Sequence, residues 1–110
     1  MNNSQGLPLR VLFVCSYGLL RSPTAAHWAT AHKGWNTRSA GTSSAAVPQL
    51  EANLLMWAER IYVMEQEHAD WIALAFGDYK HKQKILNVPD QFAYMDSKLV
   101  RIIGALLEGE

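Results

Sequence analysis

The sequence predicts an α/β chain: an open, parallel four-stranded sheet with helices on both faces. Three observations carry this. Short apolar runs at Val11-Leu12-Phe13-Val14, Ile61 to Met64 and Ile85-Leu86-Asn87-Val88 read as strands, the first and second of the type buried on both faces. Segments with apolar residues at helical spacing stand between them. The alternation fills 110 residues, enough for one domain with a real core and too few for a second.

Taken in order, residues 1–8 are expected to be a flexible N-terminus and residues 9–110 a single domain. The first strand covers residues 9–14, and Cys15 follows at its end. Ser22 offers a helix N-cap and Pro23 a first helical residue, because proline loses nothing where the backbone N–H has no intrahelical partner. That helix runs to residue 32 and is ended by Gly34, the usual left-handed cap residue. A short strand at 37–40 leads into a Gly41-Thr42-Ser43-Ser44 loop. Pro48 is expected to start a second helix, with Leu50, Leu54, Leu55 and Ala58 on its packing face. The third strand spans 61–64, the third helix 68–76 before Gly77-Asp78, and the fourth strand 85–88 before Pro89. Asp96 can cap a last helix with an apolar stripe of Leu99, Ile102, Ile103, Leu106 and Leu107.

Formal net charge is zero, so bulk electrostatics point to neither nucleic acid nor an anionic membrane. The basic cluster Lys80-His81-Lys82 with Lys84 reads as a solvated helix end or turn, with contact to a phosphate-rich partner, nucleic acid included, as the alternative. One cysteine makes no internal disulfide, and neither a secretory leader nor a membrane-spanning stretch is expected. A cytoplasmic, reducing location is expected, which suits a free thiol. His27, His32, His68 and His81 lack metal-ligand spacing and read as structural or surface groups, so no metal site is expected.

The chemistry gathers at Cys15. A loop between a strand end and a helix N-terminus collects inward N–H groups, and the helix dipole adds positive charge there. Such a loop, here Ser16, Tyr17, Gly18, Leu19 and Leu20, binds a dianion and favours the thiolate form of a cysteine at its mouth. Arg21 presents a planar fork able to grip two phosphate oxygens. The competing readings are a buried core cysteine and an ion-paired arginine. In parallel sheets ligands sit beyond the C-terminal strand ends, so Cys15 and the loop holding Asp90 can meet at one rim. Asp90 otherwise reads as a turn residue, Asp96 as a cap, and Glu65 and Glu67 as solvated groups. Tyr17 and Tyr94 either line the cleft or pack ordinarily.

The segment Cys15-x5-Arg21-Ser22-Pro23 resembles the phosphate loop of the low-molecular-weight protein tyrosine phosphatases. Arg38-Ser39-Ala40-Gly41-Thr42, Ile61-Tyr62-Val63-Met64-Glu65 with His68, and Val88-Pro89-Asp90 are similar to later segments of that family, in the same order. Tyr17-Gly18 replaces the family's glycine-asparagine, with Gly18 able to supply a positive φ; Leu20 replaces a frequent second cysteine. Gln91-Phe92-Ala93-Tyr94 differs from the family pattern, and the stretch between Gly41 and Ile61 is short. The resemblance implies a cysteine-dependent phosphomonoester hydrolase that needs no metal or cofactor. Cys15 would attack phosphorus, Arg21 and Ser16 to Ser22 would bind the phosphoryl group, the Ser22 hydroxyl would bond the thiolate, and Asp90 would act as general acid. The implied partners are a phosphotyrosine protein or small phosphomonoester, with inorganic phosphate as product. Rival readings are a non-hydrolytic phosphate-binding module, a phosphatase for nucleotides, RNA ends or sugar phosphates, and an arsenate reductase using an external thiol.

Overall fold

The computed structural model describes residues 6–110. Of the expected flexible N-terminus, residues 1–5 lie outside the described residues, while Gly6, Leu7 and Pro8 have no regular secondary structure. Strand β1 (Arg10–Cys15) lies between β2 (Asn36–Gly41) and β3 (Arg60–Val63), and β4 (Gln83–Ile85) forms the outer edge beside β3. All pairings are parallel, in the order β2-β1-β3-β4. The register sets Cys15 beside Gly41 and Val14 beside both Ala40 and Val63.

Successive side chains of β1 alternate between two cores. Val11, Phe13 and Cys15 face a cluster with Tyr62, Ala25 and Ala29 of α1 (Arg21–Lys33) and Leu99, Ile103 and Leu107 of α4 (Ser97–Leu107). Leu12 and Val14 face Ile61, Val63, Leu55 of α2 (Ala52–Trp57) and Ile72 of α3 (Gln66–Phe76). Helices therefore cover both faces, as the sequence predicts, and the central strand is apolar without alternation because neither face meets water. Each large aliphatic side chain buried this way contributes about 1.5–3 kcal/mol.

Several local expectations change. Ser22 does not cap α1: Leu20 is the N-cap, and the Ser22 hydroxyl is instead turned inward to Cys15 Sγ and the Ala40 carbonyl. Pro23 still lies in the first turn, where its missing N–H costs nothing. Pro48 starts no helix. Gly41 N donates to Pro48 O and Leu50 N to Gly41 O, so the chain runs as an isolated parallel bridge at Gln49 beside the end of β2 and turns helical only at Ala52. β4 begins at Gln83 behind a 3-10 turn at Lys80–Lys82, yet Leu86 and Val88 still donate to Val63 and Met64 carbonyls. In α4, Leu99, Ile103 and Leu107 are fully buried, whereas Ile102 and Leu106 are 37% and 39% exposed, so the stripe is narrower than the sequence suggests. Asp96 caps α4 as expected, accepting from Lys98 N at 2.8 Å.

Candidate active site

The first crossover leaves β1 for β2 on one side, and the later strands stack on the other, so the C-terminal end of β1 is the switch point of the sheet. Cys15 stands there, 2% exposed. The backbone beyond it is held from outside. Thr42 N donates to Cys15 O, Ser43 N to Ser16 O and Val47 N to Tyr17 O, at 2.9–3.0 Å. A trans peptide points its carbonyl and the following N–H in opposite directions. Turning those three carbonyls outward therefore turns the N–H groups of Ser16, Tyr17 and Gly18 inward, and Gly18 N reaches Cys15 Sγ at 3.2 Å. Gly18 takes φ +70°, the left-handed turn that the sequence assigned to it in place of the family's asparagine. Its backbone lies so close to Val47 and Gly41 that a side chain would be crowded as well as strained.

Ser22 Oγ lies 3.0 Å from Cys15 Sγ, the partnership the resemblance implied. Arg21 opens α1 with a buried side chain, 2% exposed. Its Nη1 donates to the Glu65 carboxylate and to Val88 O at 2.9 Å, which uses both of that nitrogen's protons. Nη2 donates to Ser16 Oγ at 3.2 Å. The Nε side faces Asp90, whose Oδ1 is 3.8 Å away. Cys15, Ser16, Tyr17, Leu20, Arg21 and Asp90 line one small pocket of about 20 Å³. The sequence-assigned nucleophile, clamp and acid thus come together from β1, α1 and the segment after β4. Leu19 and Tyr94, about half exposed, are not among the residues lining that pocket, and the Lys80-His81-Lys82 turn lies elsewhere.

Two neighbours of the site were read otherwise from the sequence. Glu65 is no solvated residue: it is the N-cap of α3 and the ion-pair partner of Arg21. His68 is 1% exposed; its Nδ1 accepts from Glu65 N and its Nε2 lies 3.0 Å from Ser16 Oγ. Burial first, then the nearby Arg21 charge, lowers its pKa to about 4, against the opposing pull of Glu65 and Asp90. A signal existed in the sequence: Glu65-x-x-His68 after a buried strand is a capping-box pattern, and it sits at the same rim as Cys15. Among the described residues, Glu65, Glu67 and His68 are close enough to share a cation, but Glu65 is engaged by Arg21 and both His68 ring nitrogens have partners.

No protein-family model and no curated protein matches the chain. Solved structures do. The YwlE arginine phosphatase from Geobacillus stearothermophilus is 25% identical with a TM-score of 0.74, over 93% of this chain and 92% of that one. The tyrosine phosphatase AmsI of Erwinia amylovora is 18% identical with a TM-score of 0.71, over 97% and 91%. A low-molecular-weight protein tyrosine phosphatase from T. tengcongensis is 18% identical with a TM-score of 0.70, over 93% and 99%. The chain has the fold of the low-molecular-weight protein tyrosine phosphatases. The resemblance first carried by its loop sequence extends in three dimensions over nearly its whole length.

Proposed function

We infer that this chain is a cysteine-dependent phosphomonoester hydrolase of the low-molecular-weight tyrosine phosphatase type. The observation that carries the reading is the loop turned inside out around Cys15, with three carbonyls bonded outward and the Arg21 guanidinium anchored beside it. Phosphate would settle against the N–H groups of residues 16–21 and the Nε–Nη2 edge of Arg21, the edge left by the anchoring of Nη1. The Cys15 thiolate, bonded by Ser22 Oγ and Gly18 N, attacks in line; the P–O bond to the leaving group breaks and Asp90 gives that oxygen its proton. Water then attacks the cysteinyl-phosphate, Asp90 takes the proton, and inorganic phosphate and the thiolate are released. The N–H groups and guanidinium stabilise the equatorial oxygens, so the scheme runs on this chain's own residues.

The half-exposed Tyr17 ring and Leu20 at the pocket wall favour an aryl ester as substrate. Asp90 lines the same pocket as Cys15, which favours hydrolysis over simple phosphate binding. The test is turnover of nitrophenyl phosphate, a phosphotyrosine peptide, a phosphoarginine peptide and a nucleoside monophosphate by the wild type and Cys15→Ser. The aryl esters should be hydrolysed fastest, and the serine variant, a far weaker nucleophile, should retain under about 1% of the rate while still binding vanadate. Substantial turnover by Cys15→Ser would defeat the nucleophile assignment, and preference for a non-aryl substrate would move the substrate class.

A further inference from the structure

The ring of hydrogen bonds Arg21–Glu65–His68–Ser16 determines where one proton must point. Glu65 N is a backbone amide, which can only donate, so the His68 Nδ1 it meets at 3.0 Å is an acceptor. The imidazole is neutral above about pH 4, so its single N–H sits on Nε2 and is donated to Ser16 Oγ at 3.0 Å. Arg21 Nη2 has nothing but protons to give and donates to the same oxygen at 3.2 Å. A hydroxyl oxygen has two lone pairs, and both are now engaged. The remaining Ser16 proton has no acceptor among its described partners, and Ser16 lines the pocket with Cys15, Arg21 and Asp90. The geometry points to the Ser16 hydroxyl as an additional side-chain donor to the bound phosphoryl oxygens, aimed by His68 as a positioning residue. This rests on the phosphate-site reading of the loop. It adds to the backbone N–H groups a neutral donor whose direction is set from the start of α3, by a residue 52 positions away in sequence.

Orthophosphate is the probe, measured by direct titration and by competitive inhibition of aryl-ester turnover, with Ser16→Ala, Ser16→Thr, His68→Gln and the double variant Ser16→Ala/His68→Gln. Loss of a donor to a charged oxygen should weaken phosphate binding by about tenfold or more in Ser16→Ala, and Ser16→Thr should restore most of it. His68→Gln should weaken binding in the wild-type background and add little in the Ser16→Ala background, which a merely structural role would not produce. The 15N shifts of the His68 ring should report the Nε2–H form in the free wild-type protein. Unchanged phosphate affinity in Ser16→Ala, equal His68→Gln losses in both backgrounds, or an Nδ1–H ring would each overturn the inference. Should His68→Gln not fold, Ser16→Ala and the ring tautomer still decide it. Wild-type protein that neither binds phosphate nor turns over an aryl ester would instead overturn the proposed function.

Discussion

Gly41 gives the sharpest test of how the loop is held. It ends β2 beside Cys15, and a Cβ added there would lie 2.5 Å from Ser16 O, 2.6 Å from Tyr17 C and 2.6 Å from Ala46 Cβ. Ordinary contacts between carbon atoms lie near about 3.5–4.0 Å, so Gly41→Ala must push the Ser16–Tyr17 backbone away by up to about 1 Å. The affected peptides are those whose N–H groups turn toward Cys15. A misplacement of that size costs on the order of 100-fold in rate. Overpacking should cost about 1–3 kcal/mol of stability, seen as a fall in Tm of at least about 4 °C. The assay is nitrophenyl phosphate turnover well below the melting temperature, with calorimetry alongside. Gly104→Ala is the control, because its added Cβ meets the Trp28 side chain at 3.2–3.3 Å and no loop backbone. It should shift Tm without changing kcat. If Gly41→Ala keeps kcat/KM within a fewfold of wild type, the end of β2 does not set the loop.

Arg21→Lys keeps the charge but cannot bond Glu65, Val88 O and Ser16 together, so aryl-ester turnover should fall more than about 100-fold and vanadate inhibition should weaken; near-normal activity would remove Arg21 as the clamp. Asp90→Asn should slow phosphotyrosine far more than nitrophenyl phosphate, since the poorer leaving group needs the proton; an equal effect on both would demote Asp90 to a turn residue. His68 binds its proton near pH 6.5 when unfolded and about 4 when folded, so the unfolded state takes up protons first and stability drops as pH falls from 6.5 to 4. The drop is on the order of 3 kcal/mol and should be absent in His68→Gln; equal acid profiles of the two proteins by denaturant unfolding would contradict it.

The strands β1 and β3 and the Cys15–Arg21 loop were legible because local signals define them: buried apolar runs, a fixed chain spacing, a glycine where φ turns positive. What was illegible depends on partners remote in sequence. Ser22 has the residue type of an N-cap, but Cys15 Sγ and Ala40 O compete for its hydroxyl and win, leaving the cap to Leu20. Pro48 has the type of a helix start, but its carbonyl is taken by Gly41 N and the segment pairs as a parallel bridge beside the end of β2. Glu65 looks like a charged residue in a solvated turn until β3 is placed next to β1, which brings the first turn of α3 against the loop.

The burial of Arg21 has a consequence for specificity of geometry rather than for stability. A guanidinium that is 2% exposed loses its hydration, and the ion pair with Glu65 roughly offsets that loss without adding much to the fold. What the pairing does supply is orientation. With both Nη1 protons committed to the starts of α3 and of the Asp90 segment, the guanidinium plane cannot rotate, and the Nε–Nη2 edge alone is presented toward Ser16 and Asp90. Each strand end then has its own task at one rim. β1 carries the thiol, the chain beyond β2 holds the loop carbonyls outward, β3 leads to the carboxylate and imidazole that orient Arg21 and Ser16, and the chain after β4 brings the Val88 carbonyl and Asp90. A divergent loop sequence can keep one binding geometry under these conditions, because the positions of its N–H groups are fixed by the neighbouring strands more than by the side chains of Tyr17, Leu19 and Leu20.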